Sequence, residues 1–113
     1  MDLQHAKKEF EHYLDGYDRE DDKIRLKIVH TYGVAECSRR IAQRMGLDQE
    51  DQELAELIGI LHDIGRFEQL KRFHSFEPHT MDHAAFGVQI LFDEGMIRDF
   101  VEDDRWDGII RTA

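Results

Sequence analysis

The stretch Asp48-Gln49-Glu50-Asp51-Gln52-Glu53-Leu54-Ala55-Glu56-Leu57-Ile58-Gly59-Ile60-Leu61-His62-Asp63-Ile64 decides the architecture. Leu54, Leu57, Ile58 and Leu61 fall on one stripe at helical spacing, and Ile60 and Ile64 make the last turns apolar on the opposite side as well. A helix that is apolar all round at one end is a central element with that end buried. The buried end carries His62 and Asp63. An unpaired carboxylate taken out of water costs several kcal/mol, so the pair needs a partner, and a bound cation is an economical one.

Helical spacing continues on both sides of this stretch. Asp2 to Tyr13 sets Leu3, Phe10 and Leu14 near one face, with Asp2 as a plausible N-cap and Gly16 as a stop. From about Asp21 to Met45 a long helix is expected, its apolar line running Val34, Cys37, Ile41 and Met45 and ending at Gly46. His30 lies four residues before Val34 and continues that line, so it is expected to face inward, and Cys37 is expected in the core. Lys71 to Thr80 contains Pro78 and no apolar periodicity, which reads as a loop of about ten residues. Asp82 then caps a helix through Phe92 that Gly95 ends, Glu102 to Asp104 is an acidic solvent-facing turn, and Trp106 to Ala113 starts a further helix. No segment alternates as a half-buried strand does. The fold class is all-α, a bundle of about five to six helices.

Composition narrows the function. The 113 residues suit one domain, and 15 Lys+Arg against 25 Asp+Glu give a formal net charge of −10. Non-specific nucleic-acid binding and attraction to an anionic membrane are therefore not expected, and phosphate chemistry must use local positive charge. A single cysteine excludes a disulfide framework, and the start of the chain has no apolar signal region, so a cytoplasmic protein is expected.

Seven His and fourteen Asp in 113 residues make about one adjacent His-Asp pair expected by chance, so the context of His62-Asp63 has to carry the argument. His30 and His62, both expected inward, and Asp63 can converge. Imidazole and carboxylate together suit Zn, Fe, Mn, Ni or Co, and three protein ligands leave positions for water or substrate. Each residue has an ordinary alternative. His30 alone is a common kind of hydrogen-bonded core residue, Asp63 alone could cap a helix or pair with Arg66, and His83 stands between ligand and plain helix start. His5, His12, His74 and His79 read as solvated.

Leu61-His62-Asp63-Ile64-Gly65-Arg66, with His30 thirty-two residues upstream and Asp82-His83-Ala84-Ala85-Phe86-Gly87 downstream, resembles the HD superfamily of metal-dependent phosphohydrolases over roughly residues 23 to 110. The resemblance implies an HD-type helical bundle and a divalent metal ion, with Mg added to the metals above. It implies His30, His62 and Asp63 as ligands, and Gly65, Arg66 and His83 match the extended form in which a further His joins them. The family's closing Asp is expected beyond the Trp106 segment, past Ala113. Asp93, Asp99, Asp103, Asp104 and Asp107 come too early to replace it, which implies a single HD-type domain shortened at its C-terminus, with a homodimer as one way to cover the exposed end. The implied substrate is a phosphomonoester or phosphodiester, in a nucleotide. Arg66 and Lys27 are the expected cations for phosphate, and Glu68 a weaker choice for orienting water. A non-catalytic module that binds a nucleotide or a partner protein shares the same pocket, and a purely structural His62-Asp63 pair is the third reading.

Overall fold

The computed structural model describes residues 1–77 and 80–113. Among the described residues seven α-helical segments follow one another: α1 (Leu3–Leu14), α2 (Asp22–Arg44), α3 (Gln49–Leu61), α4 (Gly65–Phe73), α5 (His83–Val88), α6 (Ile97–Phe100) and α7 (Asp107–Thr112). One π-helical turn, Gln89–Asp93, continues α5. Among the described residues there is no strand, and no helix is long and apolar enough to cross a membrane.

Four aspartates start four of the helices by the same local chemistry. A helix leaves its first backbone N–H groups without partners, and a carboxylate just before it accepts them. Asp2 accepts from the His5 amide, Asp21 from Lys23 and Ile24, Asp48 from Asp51, and Asp82 from Ala85. Three ends are set by left-handed backbone, at Gly46 after α2 (φ 76°), at His74 after α4 (φ 52°) and at Gly95 after the π turn (φ 82°).

The core lies where α1, α3 and α4 meet α2. Phe10, Leu14, Leu57, Ile60, Ile64 and Phe67 have no exposed surface, and the Phe10 ring meets Phe67 and Tyr32 edge to face at 5.9 and 5.6 Å. The end of α3 is buried on both sides, as its pattern predicts. The helix stops at Leu61, however, and His62 to Ile64 form a short turn into α4, a helix that takes the first three residues of the expected 71–80 loop. Pro78 and His79 of that expected loop lie outside the described residues.

The long helix α2 presents a different face from the one its apolar line predicts. Ile24, Lys27, Thr31, Ala35 and Ala42 are the buried positions, while Cys37, Ile41 and Met45 are exposed and Val34 is half-buried. Cys37 is therefore a surface thiol, and His30 is not turned into the core. The reason is close approach. Gly59 of α3 sits against the backbone of Ala35, so a Cβ at position 59 would stand 2.6 Å from the Ala35 Cα. The small side of α2 lets the two antiparallel backbones touch, and the bulkier apolar line turns outward.

A second close approach brings α4 and α5 together. A Cβ on Gly65 would overlap the His83 carbonyl oxygen and stand 3.1 Å from the Gly87 amide, whereas Gly33 on α2 has no atom within 4 Å of such a Cβ. Gly65→Ala is therefore expected to lower stability by about 1–3 kcal/mol through overpacking. Gly33→Ala, in an open helix interior, should raise it by about 0.5–1 kcal/mol. Urea unfolding of the two variants beside the parent chain measures both signs.

Candidate metal centre

Asp63 stands at the break between α3 and α4, where the chain turns and its side chain reaches across to α2. Lys27, only 7% exposed on the inner face of α2, places its ammonium 2.6 Å from Asp63 Oδ2. His62 Nε2 lies 3.3 Å from the same oxygen, and His83 Nε2, at the first position of α5, lies 3.3 Å from Oδ1. Both carboxylate oxygens are thus faced by nitrogen groups from three helical segments. The Gly65 contact with α5 holds His83 within that reach.

His62 is set up for coordination by its own backbone. Its Nδ1 lies 2.7 Å from the Gly59 carbonyl oxygen, which can only accept a hydrogen bond and so makes Nδ1 the protonated nitrogen. Nε2 is then free to present its lone pair to a cation in the neutral ring, whereas without a cation the protonated ring donates from Nε2 to Asp63. His30, His62 and Asp63 each offer a ligand atom, and the three atoms lie within 4.8 Å of one another. That spacing is close to the roughly 3–4.4 Å that separates ligand atoms on one ion with bonds of about 2.0–2.2 Å. The residues present therefore fit a divalent metal. When no metal is bound, the Lys27 ammonium neutralises the Asp63 carboxylate.

The electrostatics are those of a strongly paired acid. The hydrogen bond from His62, followed by that from Lys27, holds the Asp63 carboxyl well below the usual carboxylate range despite its burial. His62 shifts upward for the reciprocal reason, the Asp63 carboxylate beside it. His83 goes the other way. Its partial burial, then the nearby Arg66 charge, favours the neutral ring that a metal ligand needs.

Lys27, His30, Asp63 and Arg66 share one open cleft of about 460 Å³ with Leu26 and Phe76. Arg66 is oriented there by Gln69, whose Oε1 accepts from it at 2.9 Å, and by the Phe76 carbonyl oxygen at 3.2 Å. Asp63 pairs with Lys27 rather than Arg66. Glu68 does not join the cleft; it accepts from the Tyr17 hydroxyl at 3.0 Å and from Arg72 Nε at 2.7 Å. The Tyr13 hydroxyl, pushed up to about 12 by burial, donates to the Ile64 carbonyl oxygen at 3.4 Å and helps fix the turn from behind. His5, His12 and His74 are exposed, as expected of solvated histidines, and His79 lies outside the described residues. Gln69 and Phe76 carried no signal in the sequence, since neither falls in a periodic pattern or a ligand-like spacing.

The arrangement has known relatives. A 46-residue stretch, 41% of the chain, is 41% identical to a deoxyguanosinetriphosphate triphosphohydrolase-like protein of Azorhizobium caulinodans and covers 11% of that protein's length. No solved structure matches the chain. The family model described as the HD domain matches residues 28–109, a span that holds His30, His62, Asp63, Arg66 and His83 and begins one residue after Lys27. With most of its length inside that match, the chain belongs to the HD-domain family.

Proposed function

We propose that this chain carries the site of a metal-dependent phosphohydrolase that cleaves a phosphomonoester or phosphodiester, in a nucleotide. The observation that supports it best is the convergence of His30, His62 and Asp63 within 4.8 Å, on a cleft that also holds Lys27 and Arg66. The HD-domain match points to the same chemistry, and its partial relative is named as a triphosphohydrolase-like protein.

His30, His62 and Asp63 would hold the ion, with His83 at hand as a further ligand. A divalent ion in such a site supplies a more acidic bound water and a Lewis-acid partner for a phosphoryl oxygen. The protein's own groups do the rest. Asp63 orients His62 and balances the positive charge of the cluster. Arg66, already aimed by Gln69, offers a fork of N–H donors that matches two phosphate oxygens, and Lys27, held against Asp63, adds a compact positive charge to the same cleft. Together they supply the local positive charge that a chain of net charge −10 needs to receive a phosphate.

Elemental analysis of the purified protein should find transition metal that disappears in His62→Ala while helical content is kept. Metal-loaded protein with native helical content that hydrolyses no member of a broad phosphoester panel would overturn the hydrolytic reading. Nucleotide binding without turnover would mark a binding module instead. Arg66→Ala should keep its metal and lower kcat/KM by about 10²-fold or more, the usual cost of one donor lost from developing charge.

Protons and metal compete for His62, which sets a pH dependence. In chelator, folded His62 holds its proton more tightly than the unfolded chain does. That stability is full below the ordinary value of 6.5 and is lost as pH rises through the higher folded value. Asp63 acts with the opposite sign, its contribution being present above 3.8 and lost as pH falls toward the depressed folded value. The melting temperature in chelator should therefore fall between pH 6.5 and 8.5, and manganese should stabilise the chain more as pH rises across that range.

A further inference from the structure

Two large apolar side chains on the cleft have no part in the hydrolytic reading. Leu26 is 66% exposed and Phe76 is 39% exposed, both beside Asp63 and Arg66. Phe76 belongs to no helix, so no packing stripe accounts for it. Its position is nevertheless held. Gln69, with no exposed surface, donates through Nε2 to the Glu77 carbonyl oxygen at 3.1 Å and to Thr80 Oγ1 at 3.0 Å. The same amide orients Arg66, which in turn donates to the Phe76 carbonyl oxygen, and the guanidinium carbon lies 5.4 Å from the Phe76 ring centre.

A fully buried amide thus ties one loop to one cation. The partly exposed Phe76 side chain lines the cleft, with the guanidinium over its ring, at a fixed offset from the group that would take the phosphate. Apolar surface kept in water beside a charged pocket favours a ligand with both characters, a flat apolar part joined to an anionic part. A sugar phosphate or inorganic polyphosphate would gain nothing from the ring.

We propose that Phe76 determines specificity at this site, its ring forming with Leu26 a stacking surface for a planar aromatic group carried by the phosphoester, with the phosphate turned toward Arg66. This rests on the hydrolytic reading for the direction of the phosphate, although the stacking surface can be tested by binding alone. This assigns the base of the proposed nucleotide to one side chain and admits other aryl-bearing phosphoesters to the same site. Stacking is tolerant of which base is present, because every base has a flat face, so Phe76 selects for aromaticity and not for one particular base.

The test uses phosphonate analogues of AMP and of ribose 5-phosphate, whose C–P bond resists hydrolysis, and manganese-loaded protein studied by calorimetry. The AMP analogue should bind more tightly than the ribose analogue. Phe76→Ala should weaken the AMP analogue roughly 5- to 150-fold and leave the ribose analogue unchanged, and Phe76→Trp should retain the preference. Circular dichroism checks that both variants keep their helices, as an exposed loop side chain should allow. Equal affinity of the two analogues in the parent chain, no binding of either, or a Phe76→Ala effect that is absent or common to both would overturn the proposal. A preference for the AMP analogue that depends on Phe76, in a protein that hydrolyses no phosphoester, would uphold the stacking surface and overturn only the hydrolytic reading. Hydrolysis of sugar phosphates as readily as nucleotides, with no effect of Phe76→Ala, would do the reverse.

Discussion

The carboxylate of Asp63 is the point on which the site depends. A negative charge carried out of water must be matched by groups of opposite sign or by hydrogen-bond donors, and here Lys27, His62 and His83 provide the match from three directions. Each partner comes from a different segment, so the requirement of one side chain constrains how α2, the end of α3 and the start of α5 are placed. The geometry that satisfies Asp63 also collects the nitrogen donors into a volume where a cation fits.

Close backbone contacts make that convergence physically attainable. Gly59 lets α3 lie against Ala35 of α2, which brings the α3 end within reach of Lys27 and His30, and Gly65 lets α4 start against His83. Neither contact could form with a side chain in the way. The same contacts explain why α2 turns its bulkier apolar line outward, since the tightest packing uses the small residues. Behind the turn, the ring cluster of Phe10, Tyr13, Tyr17 and Phe67 gives the α3–α4 break a rigid backing.

The cleft divides into parts with different tasks. Imidazole and carboxylate groups gather at one wall, Arg66 and Lys27 supply positive charge, and Phe76 and Leu26 offer apolar surface at the mouth. Gln69 couples two of these parts, because its one amide group holds both Arg66 and the segment that follows Phe76. Such sharing keeps cation and ring at a constant offset, which favours a ligand whose charged and flat portions are rigidly spaced.

The sequence by itself determined the all-helical class, the caps at Asp2 and Asp82 and the central position of the α3 end, and it singled out His30, His62 and Asp63, which the fold brings within 4.8 Å of one another. These follow from local chemistry: helical periodicity, the need of helix starts for an acceptor, and the cost of an isolated buried charge. It misread α2, because the face that packs, with Lys27, Thr31, Ala35 and Ala42, is smaller and more polar than the apolar line that turns outward. The choice between Ala35 and Val34 as the inward position depends on a glycine of another helix. His30 consequently reached the cluster from an exposed position rather than from the core. Tertiary structure alone decided that Lys27 pairs with Asp63, that Glu68 faces Tyr17 and Arg72, and that Gln69 holds Arg66 and the Glu77 carbonyl oxygen. Those contacts join residues by distances across folded elements, and no periodicity or spacing along the chain encodes them.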